Sequence, residues 1–260
     1  MLPAVEIFDD LAAELDNLDR ILAGLDEKAW LAPSAAAGWT VTDVVLHLAQ
    51  TEESVASTVA AGHAAGPAGS GPSGGLLALA GAAPGTSVDD AVDAWVRRER
   101  AAPDVVHARW RAARVASVAP LRAADPATPL AWAAASLRPA ALATTRLAEH
   151  WAHALDITDP LGIPFPDTDR LRHVAWLAHR TLPYAYGALG EQAPALRCAL
   201  TAPDGVTVWE YGPADAESSI SGPVGAFCRV GARRLAPDAA GLIAEGPDAS
   251  RALALLRTYA

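Results

Sequence analysis

Residues 38–52 read GWTVTDVVLHLAQTE. Thr40 and Asp43 stand three apart at the head of an apolar run, the capping-box spacing in which each side chain serves the other's backbone N–H. The pattern predicts a helix from about residue 40 to residue 61. Its VVLHLA stretch is apolar except for His47, and an imidazole in such surroundings needs a polar partner.

A candidate partner lies a hundred residues further on, in RLAEHWAHALDI (146–157). The spacing predicts a helix over about 137–158, with Pro139 tolerated in its first turn. Glu149 and His153 are four apart, so they project from one face about one turn from each other, as two ligands of one ion must. With His47 they make a His/His/carboxylate set that leaves a fourth tetrahedral position open, the arrangement of catalytic zinc. Nickel and iron accept the same donors. Other readings remain open: each histidine can be a satisfied core or surface residue, and Glu149 can pair with Arg146 on the helix surface.

The neighbours of these residues divide in the same way. Asp156, three beyond His153, is either an orienting partner for a ligand imidazole or an exposed acid near the helix end. His150 lies about 100° around the helix from Glu149, toward a neighbouring helix or solvent, with a lesser claim as an alternative ligand. Asp43 is explained by the cap, with an orienting role open. Trp39 reads as an anchor packing its loop onto the bundle, and Trp151 as a packing residue. His63 and His107 carry no constellation, and His173 and His179 fall on different faces of a later helix.

Elsewhere in the first 190 residues the helical period recurs. Ile7, Leu11, Leu15, Leu18, Leu22 and Leu25 predict a long amphipathic helix over 3–29. SVDDAVDAWVRRER opens another at Ser87, broken at Pro103 and continued through Trp110. The stretch 116–133 reads as a Pro-containing loop, and DTDRLRHVAWLAHRT as a fifth helix closing the bundle near residue 190. The Gly-rich stretch 63–86 cannot hold a regular helix and is a candidate lid. Beyond residue 190 the pattern changes. LRCALTAPDGVTVWEYGP is a hairpin around Pro-Asp-Gly, GPVGAFCRVGARRL a short helix, LIAEG a strand and DASRALALLRTYA a closing helix. The expected fold is α+β: a helical bundle over 1–190 and a small α+β domain over 191–260.

Composition narrows the function classes. A net charge of −10 opposes binding to nucleic-acid phosphates or acidic membranes. No apolar run is long enough to span a bilayer, the first residues lack the basic start of a signal peptide, and Cys198 and Cys228 read as reduced thiols, with a single bridge between them left open. A cytoplasmic protein acting on a small molecule is the expectation. The glycine clusters follow no strand and lack a P-loop lysine, and no Gly-x-Ser-x-Gly elbow occurs.

GWTVTDVVLHLAQTE resembles the second-helix pattern of the DinB-like superfamily, in particular of mycothiol-dependent maleylpyruvate isomerases. RLAEHWAHALDI resembles the partner segment of that family. The resemblance implies a bundle of four main helices plus one, with His47, Glu149 and His153 as metal ligands. LRHVAWLAHRT and the sequence after it resemble actinobacterial proteins that append a sterol-carrier-like α+β domain. The related isomerases carry an Arg that reaches the active site, which by the same resemblance makes Arg233 or Arg234 a candidate for holding a substrate carboxylate; a surface pair is the other reading. The cofactors implied are a divalent metal and mycothiol or another low-molecular-weight thiol, held as the thiolate for an isomerase or transferase reaction on an activated metabolite. A metal-stabilised carrier of an apolar metabolite and a metal-water hydrolase are the competing expectations.

Overall fold

The computed structural model describes residues 4–61, 87–132 and 136–258. The stretch 63–86, the candidate lid, lies outside these residues, and His63 with it. By its contacts the chain divides into two compact units, Met1–Pro164 and Phe165–Ala260.

In the first unit the leucine stripe builds α1 (Ala4–Ala23), in which Leu11, Leu15, Leu18 and Leu22 are buried. The expected helix over 3–29 is shorter because it gives way after Ala23 and the chain restarts as α2 (Glu27–Trp30), capped by Asp26. α3 (Val41–Ala61) begins at the expected cap. The Thr40 amide donates to the Asp43 carboxylate at 2.9 Å, and the Asp43 amide donates to Thr40 Oγ1 at 3.2 Å.

Ser87 caps α4 (Val88–Arg98). Pro103 then takes the first position of α5 (Pro103–Ala123), where its missing N–H costs nothing. This helix runs well into 116–133, so that stretch is not the loop expected: Pro120 gives up its own N–H bond to the preceding turn, but only three helical residues follow it. Pro139 likewise starts α6 (Pro139–Leu161), and Gly162 ends it with φ at 64°. Packing of α3 on α5 and of α1 on α6 makes the bundle, with α3 against α6 joining the pairs. Among the described residues no helix is long and apolar enough to cross a membrane.

The second unit begins earlier than residue 191, because the helix assigned to the bundle end packs on the sheet domain instead. α7 (Leu171–Arg180) and α8 (Leu182–Gly187) precede β1 (Leu196–Thr201) and β2 (Val208–Tyr211), the expected hairpin, with Thr201 opposite Val208. Tyr211 Oη donates to the Arg172 carbonyl at 3.0 Å, tying β2 to α7. β3 (Ser218–Pro223), a serine-containing strand without an alternating apolar pattern, pairs in parallel with β1. It is followed by α9 (Val224–Gly231), β4 (Ile243–Glu245) and α10 (Ala249–Leu255). The sheet order is β2-β1-β3-β4. Leu196, Cys198 and Leu200 on β1 face the core with Ile220 and Phe227. Both cysteines are free and buried, and burial pushes the Cys198 thiol up to about 12. The fold is α+β: a mostly helical chain with one small mixed sheet.

Candidate metal centre

His47 on α3 and Glu149 and His153 on α6 meet between the two helices. Glu149 Oε1 lies 2.9 Å from His47 Nε2 and 3.5 Å from His153 Nε2. One donor atom from each of the three falls within 4.8 Å of the others. A tetrahedral zinc with bonds of about 2.0–2.2 Å holds its donors roughly 3.3 Å apart, and the two measured separations bracket that value. Two of the three donor separations are therefore of the size one divalent ion requires.

Electrostatics treats the three members of the triad differently. Burial works against the charged form of Glu149, yet hydrogen bonds from His153 and His47 outweigh it and hold the carboxyl well below its usual range. Burial pushes His47 down, with the hydrogen bond to Glu149 opposing. Burial also works against the charge on His153, but hydrogen bonds to Asp156 and Glu149 overcome it and raise this ring. These shifts favour a carboxylate on Glu149, a neutral His47 and a proton on His153, which an incoming cation would have to displace.

Asp156 is buried, not the exposed acid of the alternative reading. Its Oδ2 accepts a hydrogen bond from His153 Nδ1 at 2.8 Å, which leaves Nε2 of that ring facing Glu149. Its backbone carbonyl also accepts from the Ala35 amide at 2.9 Å, pinning the 32–38 loop to α6. Trp39, at the end of that loop, is more than a packing anchor. Its ring centroid lies 5.3 Å from that of His47 and 6.4 Å from that of His153, close to parallel with the latter. Its Nε1 donates to Asp93 on α4 at 2.9 Å, so α4 holds the indole in place.

His150 is fully buried on another face of α6. Its Nδ1 donates to the Arg146 carbonyl at 2.9 Å and its Nε2 accepts from Trp110 Nε1 at 3.2 Å. Both nitrogens are used, and burial holds the ring neutral, down to about 4. Arg146 does not form the surface pair with Glu149: it is buried and bonds Glu52 Oε1 through Nε at 2.8 Å. Neither Glu52 nor the pairing of Asp43 with Arg100, at 2.8 Å through two nitrogens, was expected from spacing. The available signal was charge on inward stripes, since Arg146 shares the face of Glu149 and Glu52 lies in the apolar α3. His107 bonds Asp19 at 2.8 Å, and His179 donates to the Leu196 carbonyl at 3.0 Å, so both have protein partners.

Arg233 and Arg234 belong to the second unit, directly after α9. Arg233 takes φ of 63°, the one non-glycine residue among those described with positive φ. It is the left-handed residue of a Schellman cap, with Arg234 N donating to Arg229 O at 2.8 Å. The two arginines border a concavity of about 330 Å³ lined also by Val230, Leu235, Pro237 and Leu256.

The family described as the mycothiol maleylpyruvate isomerase N-terminal domain matches residues 11–158. Two uncharacterized proteins of Mycobacterium tuberculosis, MT0041 of strain CDC 1551 / Oshkosh and Rv0036c of strain ATCC 25618 / H37Rv, are each 34% identical to the chain over 255 residues. The alignment covers 96% of this chain and 94% of each of theirs. In fold, the chain is similar to the crystal structure of the mycothiol-dependent maleylpyruvate isomerase. The TM-score is 0.62 at 16% identity, over 95% of this chain and 97% of that one.

Proposed function

The chain belongs to the mycothiol maleylpyruvate isomerase N-terminal domain family, and from that premise we propose that it binds one divalent ion, zinc foremost, through His47, Glu149 and His153 and uses it in a thiol-dependent isomerase or transferase reaction. The observation that carries this reading is the convergence of three donor atoms, one of them on a ring already oriented by Asp156.

His47, Glu149 and His153 would supply the protein ligands of a divalent ion. Such an ion would supply deprotonation of a bound low-molecular-weight thiol such as mycothiol at neutral pH. Asp156 fixes the tautomer and rotation of His153. Trp39 covers one side of both imidazoles and limits water. Both cysteines are buried in the second unit, so the thiol comes from a cofactor. Arg233 and Arg234, at the concavity of the second unit, offer guanidinium groups to a carboxylate bound there. A cytoplasmic setting, where such thiols stay reduced, suits this chemistry.

The test is calorimetry of mycothiol into zinc-loaded and metal-free protein, in buffers of different ionisation heat. Binding that needs the metal and releases a proton at pH 7 supports thiolate use. Metal-independent binding, or binding without proton release, rejects it, and turnover by thiol-free protein selects the hydrolase instead.

A further inference from the structure

A second polar cluster lies one turn along α6 from Glu149, and it is closed to solvent. Glu52, Ser117 and His150 are no more than 1% exposed, Arg146 is 2% and Thr51 is 3%. Arg146 Nε donates to Glu52 Oε1 at 2.8 Å, and its Nη2 donates to Thr51 Oγ1 at 2.7 Å. Thr51 Oγ1 in turn donates within α3, lying 3.1 Å from the backbone carbonyls of both His47 and Leu48. The second oxygen of Glu52 accepts from Ser117 on α5.

We infer that the buried Arg146–Glu52 pair is a positioning device: it sets the register of α3 against α6 and thereby the separation of His47 from Glu149 and His153. The inference rests on the proposed metal centre and concerns residues that centre does not use.

Stability alone does not account for the pair. Removing two charges from water costs more than their attraction commonly returns, and well-packed apolar side chains often serve as well or better. A charged pair adds discrimination between registers. An apolar contact between helices tolerates small slides, whereas a slide here separates a guanidinium from a carboxylate with no water to receive either. The cluster joins the same two helices that carry the ligands. It also reaches the ligands on both sides: through Thr51 to the His47 carbonyl, and along α6 from Arg146 to Glu149 within one turn. A metal site needs its donors placed to within a few tenths of an ångström, a tolerance that register sets and burial does not.

The experiment compares wild type with the double variant Glu52→Leu/Arg146→Met, which exchanges both charges for apolar side chains. Thermal unfolding is measured metal-free, zinc affinity by competition with a chelating dye, and site geometry by the visible absorption of the cobalt(II)-loaded protein. The expected result is cooperative unfolding at an equal or higher temperature, zinc affinity lower by about 10- to 100-fold, and a changed cobalt spectrum. Arg146→Lys, which keeps the charge but replaces the two separate nitrogens that reach Glu52 and Thr51 with one, retains part of the affinity. A folded double variant with wild-type zinc affinity and cobalt spectrum overturns the inference and leaves the metal centre standing. If the double variant does not fold, Thr51→Val carries the test: lower affinity in the folded variant supports the link to His47, and unchanged affinity overturns it. A wild-type protein that takes up neither ion rejects the metal centre, and this inference with it.

Discussion

Asp156 accepts a hydrogen bond from Nδ1 of His153 at 2.8 Å, so the other nitrogen of that ring faces Glu149. An outer partner of this kind fixes a ligand ring before the metal arrives. Asp156→Asn should lower zinc affinity by about 10- to 100-fold while the protein stays folded. Competition with a chelating dye measures it, and an unchanged affinity would show that the hydrogen bond does not matter to the site.

Zinc affinity should fall as the pH is lowered from 8 to 6. His153 is raised above its usual value of 6.5 in the metal-free protein, where its proton is held by Asp156 and Glu149. Below its raised value the ion must displace that proton, and above it the ring is ready to bind. Titrations at several pH values should therefore show affinity rising with pH and protons released on binding. A flat profile would mean that His153 carries no competing proton.

His150→Ala should retain one ion per chain, because neither of its ring nitrogens faces the triad. It should nonetheless destabilise the protein by about 2–3 kcal/mol, since it empties a buried site and leaves the Trp110 N–H unpaired. Elemental analysis and urea unfolding read the two effects separately. Loss of metal without loss of stability would make His150 a ligand.

Asp43 joins the cap of α3 to Arg100. Burial works against its charge, but hydrogen bonds from Arg100 and Thr40 prevail and hold the carboxyl below its usual range. That contribution is present above the ordinary value near 3.8 and is lost as the pH falls through the depressed one. Asp43→Ala should cost about 1–2 kcal/mol at pH 7 by removing both partners, read as a lower thermal midpoint.

The clustering of His47, Glu149 and His153 is legible because the three lie on helices whose starts are marked, at Thr40 with Asp43 and at Pro139. Spacing four apart and one isolated polar residue in an apolar run then point to facing stripes. Other features needed tertiary information. Pro120 suggests a loop, yet α5 runs past it, with only three helical residues to follow. The SSISGP strand β3 has serines where an apolar alternation would show, and only its place beside β1 makes it a strand. The fifth helix is amphipathic in either unit, and the sequence does not say which surface covers its apolar face. Arg146 has two acids within reach, Glu149 on its own helix and Glu52 across the interface. Only packing selects the second.

The central claim is that His47, Glu149 and His153 together hold one divalent ion. Elemental analysis of protein purified without chelator or nickel resin tests it most directly, on wild type and on His47→Ala, Glu149→Ala and His153→Ala. The account expects about one ion per wild-type chain and loss of it in each variant, because each removes one of only three protein ligands. Metal-free wild type, or a variant that keeps its ion, would contradict it.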